Sequence, residues 1–478
     1  MKVLPGIEKN KWVVFVLVAT GVFMSTLDSS IVNVALPSML KSLDTDLPTI
    51  KWVMMIYLLT ISSLLLSFGR LSDIKGRPWV FGRGFSLFVG GSFLCGVSGN
   101  AAWLIVSRSF QGVGAAMIMS CSTALVVDIF PENERGKALG MIGTVVASGL
   151  MIGPALGGLI LDVFSWRAIF FINIPIGLVA TVMAARILRD GPLDIRKAEP
   201  FDRTGGVLIA IWCCSFVLML SRLDDWGFFS LKTAAVLCTV LISGFMLVRH
   251  ETRGSYPLIH PGLLKIRLFV LPALSSMILF ICLFTMIFLM PFYLTYVKNL
   301  PMDRVGYIMV TPFMFLFFIS PVSGAASDRM GSRILCTLGM LIMATALFLL
   351  SRLTAVDGAF SIIWRLAAAG IGSAVFTSPN NSVIMSAVPI HQRGVAAGTV
   401  ATARNLGMVI GVAVAGMIFN SSFQALTHGQ GLRTYRPEMV GHFMTAYQYA
   451  MSAGTVFALI GVVLAWARGP ESPRLVKT

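Results

Sequence analysis

The chain has 478 residues, a formal net charge of +16, 56% hydrophobic residues and only 12% charged ones. So little charge leaves too few polar side chains to cover a soluble protein of this length. The apolar residues come in continuous runs of about 20 rather than alternating over ~10, which excludes a membrane β-barrel and points to an all-α integral membrane protein.

In chain order, spans are predicted near 12–36, 50–69, 79–98, 102–127, 138–161, 168–186, 204–221, 231–248, 269–296, 305–326, 334–351, 360–387, 394–419 and 443–466. The first is too long for a signal-peptide core and carries Asp28, so it reads as a span. Pro and Gly interrupt several others, which membrane helices tolerate where neighbours resatisfy the backbone. Fourteen spans put both termini on one side. With the amino terminus inside, the cytoplasmic loops and adjoining helix ends hold 24 of the 37 Lys and Arg, and the outer ones hold 10. The other three, Arg108, Arg365 and Arg404, lie within spans. This bias places both termini in the cytoplasm. It also accounts for a net charge that would otherwise suggest nucleic acid.

The seven cysteines all fall in apolar runs without C-x-x-C spacing, and the five histidines fall in loops or at helix ends. Packing roles are expected for the cysteines, and no metal site. Neither a nucleophile–base set nor a nucleotide-binding loop is visible, so neither an enzyme nor an ATP-driven pump is expected.

The two halves match in register. Gly69-Arg-Leu-Ser-Asp73-Ile-Lys-Gly76-Arg77 pairs with Gly324-Ala-Ala-Ser-Asp328-Arg329-Met-Gly331-Ser-Arg333 at an offset of 255. Arg108 pairs with Arg365 at 257, and Phe130-Pro131 with the following Glu134-Arg135-Gly136 pairs with Val388-Pro389 and Gln392-Arg393-Gly394 at 258. Each matched pair lies on one side of the membrane, the pattern of two six-helix bundles related about the membrane normal. The domains read as residues 1–190, an inserted two-helix hairpin with its linkers over 191–266, and residues 267–478.

These motifs resemble the major facilitator superfamily, in particular its fourteen-span drug:proton antiporter branch. Leu27-Asp28-Ser29-Ser30-Ile31-Val32-Asn33-Val34-Ala35-Leu36-Pro37 resembles the first-helix signature. The Gly69–Arg77 loop, the Arg108-Ser-Phe-Gln111-Gly112 run, Gly149-x-x-x-Gly153-Pro154-x-x-Gly157-Gly158 and Trp166-Arg167-x-x-Phe170-x-Ile172-Asn173-x-Pro175 are similar to later signatures. Asp202-x-x-Gly205 and Pro257-Leu258 flank the hairpin as the family has them. One departure is Ile74, where the family has Arg; the second copy keeps Arg329. The resemblance implies a major facilitator fold in the cytoplasmic (inner) membrane, exporting amphipathic small molecules or drugs against protons. No cofactor beyond the proton gradient is implied. Whether a periplasmic adaptor joins it is not legible.

Physically, Asp28 stands out, because an ionisable group inside a span is costly and marks a functional site. It lies ~13 Å from its helix end and Arg108 ~9 Å from the same side, at 1.5 Å per residue, so the two sit at similar levels. Asp28 and Arg108, with Gln111 one turn on and Asn33, form the candidate proton and substrate site. The plainer alternatives are that Asp28 caps a broken helix or bonds Asn33, and that Arg108 ties helices together. Gly153, Pro154, Gly157 and Gly158 supply a small-residue face and a kink, and the resemblance makes this a seam between bundles. Gly69, Asp73, Gly76 and Arg77, with Asp328, Arg329 and Arg333, are candidate gating residues. Arg404 and Arg365 are candidate cavity charges. With three arginines against one clear carboxylate inside the spans, neutral or anionic amphipaths are credible cargo. Export of an endogenous metabolite or lipid-like compound is the second reading, and a sensor or scaffold of the same fold the third.

Overall fold

The computed structural model of the protein describes residues 11–188, 202–227, 230–253, 262–389 and 393–469. The motif residues Pro257, Leu258 and Gln392, and the side chain of Asp328, lie outside the described residues. The helices are α1 (Lys11–Ser42), α2 (Leu47–Lys75), α3 (Arg77–Gly96), α4 (Ala101–Ile129), α5 (Glu132–Val163), α6 (Ala168–Phe171), α7 (Asn173–Ile187), α8 (Arg203–Trp226), α9 (Leu231–Arg253), α10 (Arg267–Phe292), α11 (Met302–Met330), α12 (Ser332–Ser351), α13 (Ala359–Ser386), α14 (Arg393–Leu426) and α15 (Val440–Ala467). The single turn α6 runs into α7, and the two form one span. Thirteen spans among the described residues are long and apolar enough to cross a membrane. The fourteenth predicted span is α3, where Arg83 and five glycines dilute the hydropathy.

Local chemistry sets several boundaries. Asp46 accepts from Thr49 N (2.9 Å), Asn100 from Trp103 N (2.8 Å) and Asp202 from Gly205 N (2.8 Å), which caps α2, α4 and α8. Gly76 and Gly331 join α2 to α3 and α11 to α12 with φ of 95° and 79°. A side chain there would be strained, so each copy of the loop motif turns on its glycine.

Helices α1–α7 pack as one bundle and α10–α15 as a second, with the same pairings in both. Helix α3 lies on α4 as α12 lies on α13; α2 on α4 as α11 on α13; α1 on α5 as α10 on α14. The crossings are glycine contacts. A Cβ on Gly114 would strike the backbone of Phe88 and Gly84, and one on Gly372 that of Gly339 and Met343. Likewise Gly112 meets the Tyr57 carbonyl and Gly370 the Pro312 carbonyl. In this register Arg108 matches Leu366, not Arg365. One residue turns a helix by ~100°, so the predicted Arg108–Arg365 equivalence is corrected: the two guanidinium groups point different ways.

Helices α8 and α9 pair with each other, and α8 lies against both α2 and α14. Lys51 Nζ of α2 donates to the Ser221 carbonyl of α8 at 3.2 Å. The two bundles meet along α2–α14 and α5–α11, with α1 also against α10 and α11. We call the end where α1 begins and α15 finishes the near end. The bundles close on each other at the far end: Gly158 of α5 abuts Gly306 of α11, and Asp44 pairs with Arg433 between the far-end loops. Residues 278–292 of α10, and Tyr293 and Leu294 just after it, are all buried.

Candidate functional site

Helix α1 runs unbroken through Asp28, so the residue does not cap a break. Asp28 and Arg108 are fully buried and form an ion pair, Arg108 Nη1 donating to Oδ2. The other carboxylate oxygen accepts from Gln111 Nε2 (2.9 Å) and Asn173 Nδ2 (3.2 Å). Arg108 also donates to Gln111 Oε1 (2.7 Å) and, through Nε, to the Val53 carbonyl of α2 (3.1 Å). Its guanidinium lies over the Tyr57 ring at 4.1 Å, and Tyr57 itself donates to the Ser25 carbonyl (3.0 Å). Gln111 Nε2 donates further to Ser92 Oγ of α3 (2.8 Å). One carboxylate thus gathers donors from α4 and α7, and the arginine beside it reaches α2. Arg108 Nη2 and Asn173 Oδ1 remain buried without a partner.

Of the predicted set, Asp28, Arg108 and Gln111 come together and Asn33 does not. Its Nδ2 donates to the Ser29 carbonyl (3.4 Å) and its Oδ1 has no partner. Five residues from Asp28, it lies more than a turn away along α1. Asn173, Ser92 and Tyr57 were not singled out. Asn173 carried a signal, an amide inside an apolar run within a quoted motif; Ser92 and Tyr57 carried none.

The three span arginines differ in their surroundings. Arg108 is answered by Asp28. Arg365 lies 3.8 Å from Asp357 in the α12–α13 loop. Arg404 has no carboxylate or hydrogen-bond partner among the described residues, and its guanidinium lies over the Phe280 ring at 5.5 Å. The Ser361 hydroxyl, then Thr354 and Arg365, hold the Asp357 carboxyl below its usual range. A depressed folded-state value stabilises above the ordinary carboxylate pKa, ~3.9, and is lost as pH falls through and below it. The melting-point gap between wild type and Asp357→Ala is therefore expected to stay constant from neutral pH to about 5 and to shrink below about 4. A pH-independent gap in detergent melts would contradict this.

The sequence matches the Major Facilitator Superfamily over residues 18–412 and again over 272–477, which together span most of the chain. The riboflavin transporter RibZ of Clostridioides difficile (strain 630) is 35% identical over 458 residues, covering 95% of this chain and 97% of that protein. The chain belongs to the major facilitator superfamily. The multidrug resistance protein Stp of Mycobacterium tuberculosis is 30% identical, over 86% of this facilitator and 76% of Stp. The tetracenomycin C resistance and export protein of Streptomyces glaucescens is 30% identical, over 87% and 77%. In fold, the facilitator is similar to a bacterial homolog of the human lysosomal transporter Spinster, with a TM-score of 0.68 at 14% identity over 96% of each chain. It is a multi-pass membrane transporter of small molecules.

The remaining predicted residues divide by position in this facilitator. Gly153 and Gly157 face α1 of their own bundle, against Ser30 and Ile31. Gly158 meets the other bundle at Met302, Asp303 and Gly306, and the Pro154 carbonyl meets Gly306. Arg77 of the near-end loop binds Asp73 (3.1 Å) and Asp128 and reaches the Ala124 carbonyl (3.3 Å), all within the first bundle. Arg333 donates to the Trp466 carbonyl (3.0 Å) and stacks on that ring at 3.9 Å, capping the end of α15. Arg329 is exposed, and Gly69 has open space around it.

Proposed function

We propose that the facilitator is a proton-coupled antiporter that exports amphipathic small molecules across the cytoplasmic membrane by alternating access, as in the fourteen-span drug:proton branch. The near end faces the cytoplasm in this reading, in keeping with the Lys and Arg bias. The observation that carries it is the fully buried Asp28 carboxylate, held from α4 and α7 at once. A proton on that carboxyl removes its charge and turns one oxygen into a donor. The other oxygen still accepts from the two amides, but Arg108 then faces a neutral group in place of its counter-charge, and the tie between α1 and α4 weakens. Proton binding and rearrangement of the bundle are linked through this exchange, since a ligand shifts a conformational equilibrium by its differential affinity for the two states.

In proteoliposomes with an imposed pH gradient, Asp28→Asn is expected to lose gradient-driven substrate flux while counterflow without a gradient persists. Undiminished gradient-driven flux would remove Asp28 from the coupling step. A second reading, transport of a flavin-like ring compound, is favoured by the 35% identity to RibZ over nearly the whole chain. Riboflavin flux in the same vesicles separates the two.

A further inference from the structure

Helix α14 carries a second copy of the close-packing pattern seen in α5. Gly149 and Gly153 let α5 lie on α1, and Gly407 and Gly411, 258 residues later, let α14 lie on the Met277 and Ile281 carbonyls of α10. Arg404 stands one turn before Gly407 on this α10-facing stripe, over Phe280. It is eleven residues into the 34-residue helix, ~16 Å along at 1.5 Å per residue, so it sits well inside the span, about a third of the way from the near end. It is only half-buried, unlike Arg108. On the same stretch of α14, Thr402 Oγ1 and Asn405 Nδ2 are buried without a partner.

An arginine inside a span is costly unless it is paired or faces a polar cavity. Two of the three span arginines have carboxylates, Asp28 and Asp357. Arg404 has none among the described residues, and its half-buried side chain lies over an aromatic ring, with the unpartnered Asn405 Nδ2 next along the helix. Its guanidinium matches a carboxylate, sulfonate or phosphate fork, and the wall beside it is apolar, with Phe280 buried in it.

We propose that Arg404 is the cargo-binding cation of this transporter, and that the cargo class is an amphipath bearing an anionic oxygen group. The inference rests on the transport reading above. Arg404 takes the anionic group, and the apolar part of the cargo lies along the wall beside it. This charge stays uncompensated until cargo supplies its partner.

Two measurements test it. In proteoliposomes under a pH gradient, 2-naphthalenesulfonate and 2-naphthylmethylammonium present one ring system with opposite charges. Wild type is expected to move the sulfonate at least tenfold faster. Arg404→Ala is expected to lose that flux tenfold or more, Arg404→Lys to keep part of it, and Arg404→Glu to reverse the order. Preference for the ammonium, transport of neither probe, or undiminished sulfonate flux in Arg404→Ala would each overturn the proposal. Gradient-driven flux of the sulfonate that ignores Arg404 sinks this inference alone. Sulfonate flux that needs Arg404 but ignores the gradient sinks only the coupling. Without any cargo, Arg404→Met is expected to raise the melting temperature, because it keeps the apolar stem and removes an unanswered charge. A lowered melting temperature would make Arg404 a structural tie and overturn the proposal.

Discussion

Asp28→Leu and Arg108→Met are each expected to destabilise the protein by roughly 3–5 kcal/mol, and the double variant to recover most of that loss. Both side chains are fully buried and face each other, so removing either leaves a full charge with no counter-charge and no water. Removing both leaves an apolar contact of similar volume, which commonly costs little. Recovery falls short of complete, because Asn173 Nδ2 loses its acceptor and Gln111 Nε2 loses one of two. One unanswered buried donor costs about 1–3 kcal/mol. A double-mutant cycle in detergent melts reads the coupling directly. Additive losses would mean that the two groups do not depend on each other, and the tie across α1 and α4 would then lie elsewhere.

The sequence carried the helices and their order because apolar runs are set by composition, and composition survives without a structure. It carried Asp28 and Arg108 for a related reason: a charge inside such a run has no cheap explanation. Helix ends were less legible. Helices α1, α5 and α14 run past their predicted spans, since hydropathy falls where the chain leaves the apolar layer while the helix continues. The repeat was legible in its loop motifs, where Gly76 and Gly331 have to adopt a positive φ. It misled at Arg365, because a match of one residue type within a span does not fix the rotation of a helix. The glycine crossings at Gly112–Gly114 and Gly370–Gly372 do fix it, and they shift the alignment by one residue. Ser92 and Tyr57 were not legible at all. A serine and a tyrosine in an apolar helix look like ordinary packing until the neighbour that they answer is known. The glycine face of α5 was read as a single seam, yet its residues serve two partners, with Gly153 and Gly157 toward α1 and Gly158 toward α11.

That division of the α5 face leads to the second large effect, at Gly306. Here α11 lies directly on Pro154 and Gly158, and a Cβ on Gly306 would run into the Pro154 carbonyl and the Gly158 backbone. Backbone cannot turn aside as a side chain can, so Gly306→Leu has to push the two helices apart. The contact lies between bundles and at the far end, so the strain falls on the closed far-end arrangement rather than on either bundle's own core. Overpacking costs about 1–3 kcal/mol, and each 1.4 kcal/mol is a factor of ten in an equilibrium. Gly306→Leu is therefore expected to shift the population toward the far-end-open state by about 5- to 150-fold, without unfolding the bundles. A cysteine placed at Ile31, buried in the far half of α1, reports it through faster labelling by an impermeant thiol reagent in a background without the native cysteines. Gly153→Leu is the contrast. It also meets a neighbour too closely, at Ser30, but inside one bundle, so it is expected to lower the melting temperature without favouring either end. If Gly306→Leu lowers stability as Gly153→Leu does and leaves labelling at position 31 unchanged, the α5–α11 crossing is a permanent hinge that stays closed through the cycle, and opening of the far end has to come from α1, α10 and the Asp44–Arg433 pair instead.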